Sequence, residues 1–158
     1  MSTHRTDILV HNRFSAYVNR SRLTEIALAV LDYEEATPVA LAISITDDQT
    51  VRKLNRLYAG SDEPTDVLSF SQIDGESPMH QPQELPEIGD IVISYPAAVR
   101  QAKEQGCATD IELAHLLTHG VLHLMGHNHT DPEGNSRMKD REETILSSLL
   151  GSRAYTHS

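Results

Sequence analysis

Tryptophan is absent from this 158-residue chain, cysteine occurs once, and two Phe with five Tyr are the only other aromatic residues. The lone Cys107 excludes an internal disulfide framework and any single-chain zinc site built on two or more thiolates, and it suits a reducing compartment. With so few aromatic rings, no base-stacking platform can be drawn around the basic residues. No run approaches the ~20 consecutive apolar residues of a bilayer span, and the opening MSTHRTDILVHNR has no apolar signal-peptide core, so a cytoplasmic protein is expected. Positive charge is scarce as well: 13 Lys and Arg stand against 23 Asp and Glu, a net charge of −10. That balance argues against non-specific nucleic-acid binding, because phosphate contacts need cations. The deficit is uneven. Residues 1–56 carry seven basic and seven acidic side chains, residues 57–158 six and sixteen. Arg20, Arg22, Arg52, Lys53 and Arg56 therefore remain available as a local basic face, although such positions on surface helices are commonly just solvated.

What is present is enough for one core: 39% of residues are hydrophobic and 23% charged, and a chain of this length hides roughly 70% of its unfolded surface on folding. Without repeat, low-complexity tract or linker, residues 1–158 read as a single domain. Asp7–Val10 and Val39–Ile45 have strand character, as do Val67–Phe70 and Ile91–Ile93. A helix capped by Ser21 presents Leu23, Ile26, Ala27, Val30 and Leu31, and a Thr46/Gln49 capping box opens another that runs to about Tyr58 and stops at Gly60. Residues 61–66 read as a turn and 71–87 as a long loop. Pro96 and Gly106 bracket one helix, Thr109 and Glu112 frame a capping box for the next, and Met138, Ile145, Leu146 and Leu149 form the core face of a last helix from about Ser136 to Leu150. The sum is an α+β domain with a small mixed β-sheet covered by helices.

The chemistry is concentrated in HLLTHGVLHLMGHNH, where five of the nine histidines fall between 115 and 129. His119 and His123 are one helical turn apart and project from the same face. Gly126 lets the chain leave the helix, so that His129 can return toward them; His127 is the alternative third ligand, with little chain to make that return. Three neutral imidazoles and an open fourth position make a catalytic-type site for one divalent ion, in which water is acidified toward a pKa of ~7. Zinc fits three imidazoles well, and nickel, copper or iron(II) also accept them. His115, a further turn upstream, drifts around the helix and reads as a supporting residue.

The spacing matches the metzincin protease signature with one difference: the residue after the first His is Gly120, where a zincin places its general-base Glu. The helix keeps the metal and lacks that carboxylate, which disfavours peptide hydrolysis and favours a reaction such as phosphodiester cleavage, where a cation also neutralises phosphate oxygens.

HGVLHLMGHNH, the upstream LNRLYAGSDEPTDVLSF and, between them, IGDIVIS, with the weaker MKDREETIL after all three, resemble the YbeY endoribonucleases of bacterial rRNA maturation. The resemblance covers most of residues 54–146. It implies an α+β fold with a metal-bearing helix, a zinc-like ion on His119, His123 and His129, single-strand RNA cleavage and a role at the 3′ end of 16S rRNA and in ribosome quality control. The partners it implies are ribosomal RNA and the small ribosomal subunit, with a small-subunit ribosomal protein and an Era-type GTPase, and neither membrane nor DNA. Two departures stand out. Tyr58 is followed by Ala59 where the family generally has a functional Arg able to hold a phosphate by two parallel hydrogen bonds. Asn128 stands where Asp usually precedes the third His.

These departures leave a second reading open, a ribosome-associated metal-binding factor with weak or no catalysis. Arg56 is the candidate to replace the missing cation at the substrate. Asp66, in PTDVLSF, either caps its turn or faces the cleft and assists water or substrate. Asp90 has a comparable pair of readings, strand-edge hydrogen bonding or a partner contact. No general acid or base is assigned.

Overall fold

Alternating exposure along Arg5–Val10 (β1), with Ile8 and Val10 turned inward and Arg5, Asp7 and Leu9 outward, marks a strand that buries one face. The computed structural model describes residues 4–58, 66–71, 85–126 and 132–150. After β1, a 3₁₀ turn at Asn12–Tyr17 leads into helix α1 (Arg20–Tyr33), β2 (Ala40–Thr46), α2 (Asp48–Tyr58), β3 (Val67–Ser71), β4 (Glu87–Ser94), α3 (Tyr95–Gln105), α4 (Thr109–Leu124) and α5 (Pro132–Leu150). The sheet order is β1-β2-β4-β3, with β1, β2 and β4 parallel and β3 antiparallel to β4. The α+β fold with a mixed sheet therefore stands as expected.

Ile43, Ile45, Ile91 and Ile93 from the central strands are fully buried with Leu31 of α1 and Leu113, Leu117 and Leu122 of α4. Helix α4 touches α1, α3, α5, β3 and β4, so it runs through the middle of the core. Its approach to the sheet is set by Gly120, where a side-chain Cβ would come within 2.9 Å of Ile91 Cγ2. The Ser69 hydroxyl donates to the Gly120 carbonyl oxygen at 3.3 Å beside that contact. Val92, next in β4 and so on the opposite face, lines a cleft with Leu54 of α2, which places α2 across the sheet from α4.

Several helix starts differ from the sequence expectation because a better-placed side chain does the capping. Asn19, two residues before Ser21, accepts from the Arg22 N–H at 3.0 Å and caps α1. Asp47 accepts from the Thr50 N–H at 2.8 Å and caps α2, while Thr46 completes β2. Helix α4 begins after Ala108, whose side chain has no acceptor, so Thr109 is already helical, and Glu112 turns inward instead of closing a capping box. Strand β4 is longer than Ile91–Ile93, and α5 begins four residues before Ser136. Gly106, with φ of 70°, ends α3 as expected. Gly60, the turn before Asp66 and the loop at 72–84 lie outside the described residues.

Candidate metal centre

The sequence HLLTHGVLH forms the C-terminal half of α4, so His115, His119 and His123 follow one another at single-turn intervals. Leu116, Leu117, Val121 and Leu122 between them are buried, which fixes how the helix is rotated and leaves His119 partly exposed and His123 exposed. The helix ends at Met125, and Gly126 takes a φ of 99°, a conformation that frees the chain from the helix as the spacing required. His129, His127 and Asn128 lie outside the described residues. Among the described residues no three His, Cys, Asp or Glu side chains form a ligand set.

Helix α5 brings one further group to this face. Glu142, 5% exposed, places Oε1 2.6 Å from His119 Nδ1 and Oε2 3.2 Å from His115 Nε2. Behind His115, the fully buried Glu112 puts Oε1 3.5 Å from His115 Nδ1. His115 thus has a carboxylate on each ring nitrogen, which accounts for its supporting position and removes it as a ligand. Burial disfavours its charged form, but hydrogen bonds to Glu112 and Glu142 outweigh that and lift its pKa to about 9. Glu142 is the mirror case: burial would raise its pKa, and the two histidines pull it down to about 2.

The His119 pairing is the test of whether this face suits a cation. An imidazole that donates Nδ1–H to a carboxylate keeps the lone pair of Nε2 for a metal, and metal-binding histidines are commonly oriented in this way. His119 therefore fits a divalent ion in donor chemistry, and His123, one helical turn on, fits it in spacing. Sequence reasoning gave Glu142 no role, although a signal was present: it stands in the stripe Met138, Glu142, Ile145, Leu146, Leu149, a charge in the middle of a helix's core face.

The other candidate residues make contacts of their own. Both Asp66 oxygens are engaged, Oδ1 by the Val67 N–H at 2.9 Å and Oδ2 by the Gln101 amide at 2.8 Å, so this carboxylate ties the start of β3 to α3. Asp90 lies in β4, which is flanked by β2 and β3 and so is an interior strand, not an edge. Arg22 reaches Glu25 and the Leu149 carbonyl oxygen, away from α2. Arg52, Lys53 and Arg56 instead share one exposed face of α2 and, with Gln49 and Thr50, line an open concavity of about 570 Å³. Ala59 lies outside the described residues.

A family model described as "Endoribonuclease YbeY" matches residues 9–150. The chain belongs to this family. Among similar curated proteins, the endoribonuclease YbeY of Roseiflexus sp. (strain RS-1) is 41% identical over 151 residues, covering 94% of each chain. That of Symbiobacterium thermophilum is 43% identical over 129 residues, 81% of this chain and 83% of the relative. The fold is similar to the solution structure of TM1509 from Thermotoga maritima, with a TM-score of 0.60 over 94% of this chain and 91% of that one at 22% identity. As a YbeY endoribonuclease homologue the chain is a nuclease of the hydrolase class, and its role is RNA cleavage.

Proposed function

We propose that this YbeY protein is a metal-dependent, single-strand-specific endoribonuclease that acts in maturation of the 16S rRNA 3′ end and in ribosome quality control. The observation that carries the metal part is the 2.6 Å contact of His119 Nδ1 with Glu142, which leaves Nε2 aimed away from the carboxylate. His119, His123 and His129 would hold one divalent ion, zinc by donor preference. Bound there, it would supply Lewis acidity toward water and phosphate oxygens. The protein's own residues supply orientation and charge. Glu142 aims His119, and Gly120 leaves the zincin general-base position without a carboxylate, in keeping with a nuclease. Arg56, with Arg52 and Lys53, offers cations to the RNA backbone in a chain whose net charge is −10. Lys53 and Arg56 enter no ion pair among the described residues, whereas Arg5, Arg13, Arg22, Arg100, Arg137 and Arg141 all do.

The working setting is the cytoplasm, on ribosomal RNA within the small subunit, with a small-subunit ribosomal protein and an Era-type GTPase as partners and neither DNA nor a membrane. No helix among the described residues is long and apolar enough to cross a membrane.

Ala59, in place of the family's usual Arg, favours one other reading, a metal-binding ribosome factor that cleaves slowly or not at all. One experiment separates the two. Metal-loaded protein is incubated with a single-stranded RNA carrying the 16S 3′ end, beside His119→Ala, His123→Ala and chelator-treated protein. Cleavage by the wild type alone, restored after chelation by added metal, is expected. Cleavage that survives both substitutions overturns the metal-dependent mechanism, and metal binding without turnover leaves the binding factor.

A further inference from the structure

The carboxylate that meets His119 is itself held from behind. Glu142 spends one oxygen on His119 and the other on His115, so its rotation about the terminal bond is locked by two imidazoles a helical turn apart. His115 is locked in turn, with Glu112 on its second nitrogen. Glu112 is fully buried and its Oε2 has no hydrogen-bond partner among the described residues, an expensive placement for a carboxylate whose Oε1 meets His115. The alternative, a purely structural polar cluster joining α4 to α5, accounts for burial but not for the order of the groups. Alternating carboxylate and imidazole from Glu112 to His119 place each donor against an acceptor and end at a partly exposed ring.

We propose that Glu112, His115 and Glu142 form a brace in series for the metal site, with Glu142 the positioning residue of His119 and His115 acting on His119 only through Glu142. The proposal rests on the reading of His119 as a metal ligand. The series arrangement has a consequence that a general packing role lacks. Removing the last link makes the earlier links irrelevant to the metal, so their effects do not multiply.

The test uses Glu142→Gln, His115→Gln and the double variant, all close in volume to the native side chains, with circular dichroism confirming that each is folded without metal. Zinc affinity is measured by chelator competition. Glu142→Gln is expected to weaken binding ten- to a hundredfold, His115→Gln by a smaller factor, and the double variant no more than Glu142→Gln alone. The tautomer of His119 is read separately in metal-free protein by long-range 1H–15N imidazole spectra at mildly alkaline pH. Nδ1–H is expected in the wild type and a mixture of tautomers in Glu142→Gln. Zinc affinities that do not change, or that fall multiplicatively in the double variant, overturn the brace while the metal site stands. A wild type that binds no zinc overturns the metal reading and the brace's purpose with it, and an Nε2–H tautomer in the wild type overturns the brace on its own.

Discussion

Gly120 of α4 lies so close to Ile91 of β4 that an added Cβ would come within 2.9 Å of the Ile91 Cγ2 methyl. The position that a zincin fills with its general base is here the point where the histidine-bearing helix rests on the sheet. Chemistry and packing thus coincide in one residue: the absent carboxylate is also the absence of any side chain.

Gly120→Ala should destabilise the protein despite the better helix propensity of alanine. Alanine gains roughly 1 kcal/mol in a helix interior, while forcing a methyl into a packed core costs about 1–3 kcal/mol, and Ile91 is β-branched and fully buried, with little freedom to move aside. Denaturant unfolding is expected to show a net loss of about 1 kcal/mol. Gly120→Glu should lose considerably more and acquire no peptidase activity. A stabilised Gly120→Ala would mean that the helix and sheet can separate at no cost.

Gly89→Ala should be the more damaging glycine substitution. Its Cβ would run into the Phe70 carbonyl oxygen, a backbone atom of the paired strand, and into Leu124 of α4. Relief requires β3 to pull away from β4, so a loss of about 3 kcal/mol is expected, at the upper end of the usual cost of core overpacking. Unfolding midpoints check it, and a loss under about 1 kcal/mol would contradict the close β3–β4 approach.

Charge reversal on α2 should change how RNA binding responds to salt. Lys53→Glu with Arg56→Glu removes two cations from the concavity that they line. If each contacts one phosphate, the slope of log affinity against log salt should shrink by about 1.4 for a single strand. Lys103→Glu on α3, outside this face, is a control of half the charge change and should leave the slope unchanged. Equal slopes in both variants would assign the α2 face to solvent.

Part of the acid sensitivity should come from Asp48 at the start of α2, beside the larger share of Glu142. The Arg100 guanidinium, at 2.9 and 3.1 Å, and the Ser94 hydroxyl, at 2.6 Å, hold this carboxyl below its ordinary value of 3.8, against the opposing effect of partial burial. Because the folded pKa is the lower one, the stabilisation is present above pH 3.8 and is lost as pH falls through the folded value. Asp48→Asn should flatten that acid limb in denaturant titrations across pH. An unchanged limb would show that the contact with Arg100, on an exposed side chain, is fully screened.

The sequence by itself determined the elements that depend on near neighbours. Strands β1 and β2, the apolar stripe of α1, the αL stop at Gly106 and the placing of His119 and His123 on one face of a helix all follow from spacing along the chain. Capping was less legible, because Asn19, Asp47 and Ser21 or Thr46 compete over two or three residues and the winner depends on the angle at which the chain enters the helix. Glu142 was present as a charge in a core stripe, but its two partners lie 23 and 27 residues away on another helix. No local rule supplies the rotation and offset at which α5 packs on α4. That packing alone decided that one carboxylate meets two histidines, as the fit of α4 on β4 alone decided that residue 120 has room for nothing larger than glycine.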